Sequence, residues 1–127
     1  MDLPVGRTAF KEPARYEEYR FALGRTHPGE LVFGTPPVQF ALAVQNPAPI
    51  DVFVPAEYTR PEQVAETIQA LEKYRVPLLM LHRDMYRPPS SNSASDHLGP
   101  FRAYLHQRYR LLKAFGTGDE LWERIDP

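Results

Sequence analysis

The segment at residues 50–82, IDVFVPAEYTRPEQVAETIQALEKYRVPLLMLH, constrains the fold more than any other part of the chain. Residues 50–54 and 76–81 are short apolar runs of the kind that form buried strands. The stretch between them has the length and the apolar spacing of a helix. A strand, a helix and a strand bury their apolar faces best as a right-handed parallel unit, so the segment predicts two parallel neighbouring strands.

The helix of this unit has a recognisable start signal. Thr59 and Glu62 have the spacing of a capping box, in which each side chain accepts a hydrogen bond from a backbone N–H at the helix start. Pro61 suits the first helical turn because it has no N–H to leave unpaired. We therefore expect a helix that begins near Arg60. Its apolar residues are expected to face the sheet: Val64, Ile68 and Leu71.

Other periodic segments lie on both sides of this unit. Residues 13–23 predict a helix with Tyr16, Tyr19 and Leu23 on its apolar face, ended by Gly24. This helix is followed by a predicted strand at 31–33, by a helix capped by Thr35, and by the strand, helix and strand of residues 50–82. A helix that starts at Gly99 and strands at 109–115 and 120–125 complete the chain.

The last two strands are separated by the loop at residues 116–119, which contains two glycines and suits a hairpin with a left-handed position. These strands are expected to pair antiparallel. Together the elements predict an α/β fold, a three-layer sandwich with a mixed, mostly parallel sheet of about five strands and a C-terminal antiparallel hairpin. The length of 127 residues fits a single α/β domain over residues 1–127.

Composition excludes several classes of protein. The 15 basic and 16 acidic residues give a formal net charge of −1, which argues against binding to nucleic acid. The absence of cysteine excludes disulfides, a thiol nucleophile and cysteine-ligated zinc. No apolar run approaches the ~20 residues of a membrane span, so we expect the isolated chain to be soluble.

Polar residues follow three of the predicted strands. In an open α/β sheet, ligands bind beyond the carboxyl ends of the parallel strands, so these residues predict a binding cleft, with the loop at 87–95 as a lid. Each of them also has an ordinary structural role, as a helix cap, a solvated turn or a strand exit. The residues of this candidate cleft are Thr35, Glu57, Tyr58, His82, Arg83 and Asp84.

No catalytic or metal-binding motif stands out. Asp96 and His97 are the nearest to an acid–base pair, but no serine stands in a G-x-S-x-G turn and cysteine is absent. We therefore expect no catalytic residue, no metal site and no cofactor. The histidines lack the spacing of metal ligands: His27, His82, His97 and His106.

Short motifs are spread over residues 13–124: PGELVFGTPP at 28–37, NP at 46–47, Asp51, EYTRPEQ at 57–63 and WER at 122–124. Together they resemble the soluble C-terminal region of bacterial membrane glycosyltransferases with GT-C architecture, the dolichyl-phosphate-mannose-protein mannosyltransferase-like proteins. The resemblance implies a domain on the extracytoplasmic, periplasmic face of the inner membrane, attached to membrane helices that use a polyprenyl-phosphate sugar donor.

The catalytic acidic residue of that family lies in a loop between early membrane helices, so the resemblance transfers no catalytic residue to this chain. It implies an accessory domain, a fragment of a larger membrane protein, that positions an acceptor or packs on the membrane helices. The partners would be those helices and a glycan, peptide or lipid acceptor. The alternative is a free-standing small α/β enzyme or ligand-binding protein that uses the cleft at the strand ends.

Overall fold

The structure, a computed structural model, describes residues 1–4, 6–7, 9–10, 12–34, 42, 44–48, 60–83 and 98–125. Within these ranges the chain forms three α-helices and five β-strands. In chain order they are β1 (Asp2–Leu3), β2 (Gly6–Arg7), α1 (Pro13–Leu23), α2 (Pro61–Lys73), β3 (Leu78–His82), α3 (Gly99–Arg108), β4 (Tyr109–Ala114) and β5 (Asp119–Arg124).

The larger sheet has three strands in the order β3-β5-β4, and both neighbouring pairs are antiparallel. β5 is therefore the central strand. In the β3–β5 pair, Leu78 lies opposite Glu123 and His82 lies opposite Asp119. The short strands β1 and β2 form a separate antiparallel pair.

The predicted fold class, built on a mixed, mostly parallel sheet of about five strands, is wrong for the part of the chain that the structure describes, where the larger sheet has three antiparallel strands. Between β3 and β4, β5 pairs its backbone groups on both edges, and its side chains Leu121 and Trp122, which point to opposite faces, are both buried. The apolar run of β3 indicates burial but not the direction of its neighbour. The predicted strand at 50–54 lies outside the described residues, so its parallel pairing stays a prediction.

Parallel pairing occurs in the described ranges as two isolated bridges. Phe33 lies parallel to Leu79, with the Met80 N–H donating to the Phe33 carbonyl at 2.8 Å, and Leu31 lies parallel to Gln45. The strand predicted at residues 31–33 is thus reduced to single bridges. The predicted helix capped by Thr35 falls outside the described residues.

The two faces of β3 supply two hydrophobic clusters. Leu78 and Met80 pack toward α1, in a cluster with Tyr19, Ala22, Phe115 and Leu121. Leu79 and Leu81 pack toward α2 and α3, in a cluster with Val64, Leu71, Phe101, Leu105 and Trp122. The helices therefore lie on both faces of the antiparallel sheet, and β3 is covered on each side.

The predicted helix at residues 13–23 is confirmed, but its buried face is rotated from the predicted one. Glu18, Tyr19 and Ala22 are buried, whereas Tyr16 is 39 % exposed. Tyr16 instead meets the ring of Phe10 edge-on at 6.1 Å between centroids. The rotation brings a carboxyl group, Glu18, into the interface between α1 and the sheet.

The predicted helix of the central unit is confirmed and begins at Pro61. Its cap is one residue later than predicted, because the Arg60 N–H donates to Gln63 Oε1 at 2.9 Å; Thr59 lies outside the described residues. The predicted apolar face is confirmed: Val64 and Leu71 are buried and Ile68 packs partly buried against the same cluster.

The C-terminal part follows the prediction closely. α3 begins at Gly99, and β4 and β5 form an antiparallel hairpin whose turn contains Gly118 with a φ of 94°. A left-handed φ of this kind favours glycine. In the ranges that the structure covers, no helix has both the length and the apolar character required to cross a bilayer.

We expect Leu71→Ala to lower the free energy of unfolding by about 2–4 kcal/mol, since Leu71 is fully buried between α2 and the sheet. Tyr74→Ala, which removes a side chain that is 50 % exposed, is the control and is expected to change it by less than about 1 kcal/mol. Urea denaturation measures both. Equal effects of the two substitutions would contradict the packing of α2 described above.

Candidate functional site

Two of the six residues of the predicted cleft lie in the described part of the chain, His82 and Arg83. Their convergence with the other four stays a prediction, as does the lid at residues 87–95. The four that fall outside the described residues are Thr35, Glu57, Tyr58 and Asp84. The Asp96 and His97 pair falls outside as well.

His82 is the last residue of β3 and lies opposite Asp119, the first residue of β5. Side chains alternate along a strand, so His82 projects to the same face as Met80, which is the face that α1 covers. The Arg83 N–H donates to the Gly118 carbonyl at 2.8 Å and continues the pairing one residue past the strand. His82 and Asp119 thus lie side by side at the edge of the α1 interface.

Gly118 allows the His82 ring to lie against the hairpin turn. A Cβ on Gly118 would come within 2.6 Å of His82 Nε2, closer than atoms of neighbouring residues pack. The left-handed φ of Gly118 disfavours a larger residue for a separate reason. Both the turn and the position of the imidazole therefore require glycine here.

α1 brings a second carboxyl group to this end of the sheet. Glu18 is 0 % exposed, and its Oε2 accepts a hydrogen bond from Thr117 Oγ1 at 2.8 Å. Arg15 Nη1 lies 3.4 Å from Glu18 Oε2 and 3.3 Å from Asp119 Oδ2, so one guanidinium bridges both carboxyl groups. We call this group the strand-end site; its residues are Arg15, Glu18, His82, Thr117 and Asp119.

The fold favours the protonated form of Glu18. Its pKa is raised to about 8, first by burial and then by the hydrogen bond and the negative charge of Asp119, against the opposing effects of Thr117 and Arg15. Among the described residues, Glu18 Oε1 has no donor. A proton on Glu18 can be donated to Asp119 and removes one buried negative charge.

The solvent side of the strand-end site is formed by Arg15, whose side chain is 41 % exposed, with His82 and Thr117 half-buried beside it. Glu18 and Asp119 lie beneath and hold the guanidinium in place. This arrangement offers donors and acceptors to a polar ligand. Within the described ranges, no group of histidine and acidic side chains is placed to hold a metal ion.

The sequence predicts His82 as a site residue but does not predict Glu18 or Asp119. Asp119 was assigned to the hairpin loop, whereas it begins β5. Glu18 lies outside the apolar face that the sequence predicts for its helix. The sequence indicates the burial of Glu18 by its position next to Tyr19 and one turn before Ala22. A helix packs closely against its neighbour at a small residue such as alanine.

A comparison of the chain with protein-family models finds no match. Searches of curated proteins and of solved structures find no match either. The resemblance to membrane glycosyltransferases therefore stays a prediction, and the function is argued from the chain's own residues.

We expect Glu18→Gln to remove a pH dependence of stability. The unfolded chain releases the Glu18 proton near pH 4.5 and the folded chain near pH 8, so the free energy of unfolding falls as the pH rises between these values. The slope is at most about 1.4 kcal/mol per pH unit. Glutamine keeps the shape of a protonated glutamate but cannot ionise, and its unfolding free energy is expected to be flatter across that window.

Urea denaturation at several pH values measures this effect. Glu17→Gln is the matched control, because Glu17 is the adjacent, exposed residue of α1 and is expected to leave the slope unchanged. The same pH dependence in Glu18→Gln and Glu17→Gln would show that Glu18 does not hold a proton in the folded chain.

Proposed function

We propose that this chain is an extracytoplasmic accessory domain of a membrane glycosyltransferase that uses a polyprenyl-phosphate sugar donor, and that it holds a hydroxyl-bearing acceptor at the strand-end site. The motifs at residues 28–37 and 57–63 support the family. The observation that carries the binding role is the partly exposed Arg15, which bridges Glu18 and Asp119 where Thr117 bonds to Glu18 and His82 lies opposite Asp119 in the sheet.

A ligand rich in hydroxyl groups needs both donors and acceptors at fixed positions. Arg15 supplies donors, Thr117 can donate and accept, and the imidazole of His82 has two ring nitrogens that can take part in hydrogen bonds. Arg15 is fixed by one contact to α1 and one to β5, so little side-chain freedom is lost when a ligand binds. The strand-end site is thus preorganised for polar recognition.

The same geometry favours a role in positioning a ligand over a role in catalysis. The pKa of Glu18, at about 8, suits a general acid, but a general acid has to lie within about 3 Å of the proton it transfers. Glu18 is fully buried beneath Arg15, so a ligand on the solvent side would meet Arg15 first. Glu18 and Asp119 therefore orient Arg15, and the membrane part carries out sugar transfer.

We expect the purified chain to bind acceptor fragments without transferring sugar. Nuclear magnetic resonance titration with methyl glycosides and short peptides is expected to shift signals of His82, Thr117 and Asp119. Arg15→Gln is expected to weaken that binding by about tenfold, the effect of losing a charge-assisted hydrogen bond. Incubation with polyprenyl-phosphate sugars and the same acceptors is expected to give no product.

Arg20→Gln is the control, since it makes the same change at an exposed position of the same helix and is expected to leave binding unchanged. Equal affinities of Arg15→Gln and the unsubstituted chain would contradict ligand binding at the strand-end site. Sugar transfer by the chain alone that is lost in His82→Ala would support the free-standing enzyme instead.

A further inference from the structure

β4 is an edge strand of the larger sheet, since the strand order is β3-β5-β4. The Arg108 carbonyl accepts and the Phe115 N–H donates across the β4–β5 hairpin, at 2.9 Å in each case. Backbone groups alternate between the two edges of an antiparallel strand, so Leu111 and Ala114 direct theirs to the outer edge of β4. Within the described ranges, no backbone hydrogen bond joins these outward groups to another element.

A basic and aromatic surface lies beside that edge, on the face of the sheet that α1 covers. Lys113 Nζ lies 5.0 Å from the centroid of the Phe21 ring, and the Arg25 guanidinium carbon lies 4.8 Å from the same centroid. Both cations are exposed, and among the described residues neither forms an ion pair with a carboxylate. One ring therefore holds two like charges close together. We call Phe21, Arg25 and Lys113 the basic patch.

The neighbouring charges leave the basic patch positive. Arg110, on the same face of β4, is paired with Glu123, and the two charges cancel. α1 adds Arg20 and Glu17, which are both exposed and of opposite sign. The two cations of the patch are thus not neutralised by the described residues around them. A negatively charged partner would relieve the repulsion between these cations.

We propose that the outer edge of β4 binds an acidic segment of another protein as an added strand. In this mode of recognition an extended peptide pairs its backbone with a free sheet edge, and its alternate side chains meet the two faces of the sheet. Acidic side chains of the segment meet the basic patch on the α1 face. On the other face Leu111, which lies opposite Trp122 and is 46 % exposed, offers an apolar contact to the side chains between them.

The charges of β4 exclude a second copy of the chain from this edge. If two β4 strands paired antiparallel about their centre, Arg110 of one copy would lie opposite Lys113 of the other. Like charges directly opposite each other destabilise a sheet, and lysine on an edge strand commonly prevents identical edges from pairing. An acidic strand meets attraction at the same two positions, so the edge selects its partner by charge.

The shape of β4 limits the length of the partner strand. β4 has six residues, and its register against β5 shifts between Leu111 and Lys113. A partner strand of about six residues, a common strand length, therefore covers the whole edge. The edge and the basic patch share no residue with the strand-end site, so this proposal does not depend on the acceptor proposal.

The test is a titration of the purified chain with a blocked peptide of about six residues in which glutamate and valine alternate. Calorimetry measures the affinity, and nuclear magnetic resonance measures the exchange of each amide. We expect saturable binding with slower exchange at Leu111 and Ala114, and no change at Phe115, whose N–H is already bonded within the hairpin. The same peptide methylated on its backbone nitrogens keeps its charge but loses its donors, and is expected to bind at least about tenfold more weakly.

Lys113→Glu is expected to weaken binding of the glutamate peptide by about tenfold or more, because an attraction becomes a repulsion. Lys73→Glu is the matched control: Lys73 is also an exposed lysine over an aromatic ring, 5.2 Å from the centroid of Tyr74, but it lies on α2. This control is expected to leave binding unchanged. Arg25→Gln removes the other cation without a change in β4, and is expected to weaken binding by about threefold.

Absence of saturable binding, equal affinities of Lys113→Glu and Lys73→Glu, or equal affinities of the methylated and unmethylated peptides would overturn the proposal. Equal binding of a peptide with lysine in place of glutamate would show that charge does not select the partner. Protection of the Leu111 amide that rises with protein concentration, without peptide, would assign the edge to a second copy and would also overturn it. Arg25→Gln provides the same comparison in a chain with an unaltered β4.

Discussion

The antiparallel pairing of β3 with β5 is the interaction on which the rest of the described structure depends. It places β5 in the centre of the sheet, with Leu121 on the α1 face and Trp122 on the face of α2 and α3. Because both faces of this strand pair are covered, burial of apolar surface on each side stabilises the same ladder. The register of the pair also sets Asp119 beside His82 at one end and Glu123 beside Leu78 at the other.

The burial of Glu18 has to be weighed against that hydrophobic gain. An ionised carboxylate in the interface between α1 and the sheet would cost several kcal/mol of desolvation, whereas a protonated carboxyl group with hydrogen-bond partners costs far less. The Glu18 pKa of about 8 results from this balance: burial and Asp119 raise it, and Thr117 and Arg15 lower it. A buried proton thus allows two acidic groups to share one guanidinium without two unpaired negative charges.

Local sequence signals predict the helices and the hairpin, whereas the predicted pairing between distant strands is wrong. The helices at Pro13–Leu23 and Pro61–Lys73 and the C-terminal hairpin follow from proline, glycine and apolar spacing, which act within a few residues. Whether Leu78–His82 has a parallel or an antiparallel neighbour depends on residues about forty positions away, and a continuous apolar run fits either. His82 was identifiable as a strand exit, but Glu18 and Asp119 join it only through the β3–β5 register and the rotation of α1.

The same strand separates two chemically different ends of the domain. A carboxyl-rich site with a bridging arginine lies at His82, and a cavity lined by both arginine and glutamate side chains lies at Leu78, four residues earlier. At the rise of a strand these ends are roughly 14 Å apart, which exceeds the Debye length of about 8 Å at physiological ionic strength. Salt therefore screens the exposed groups of the two ends, such as Arg15 and Arg25, from each other, and screens the buried groups less. Because the strand between them is buried, the two ends are held apart by the core of the domain, which fits the positioning role proposed above.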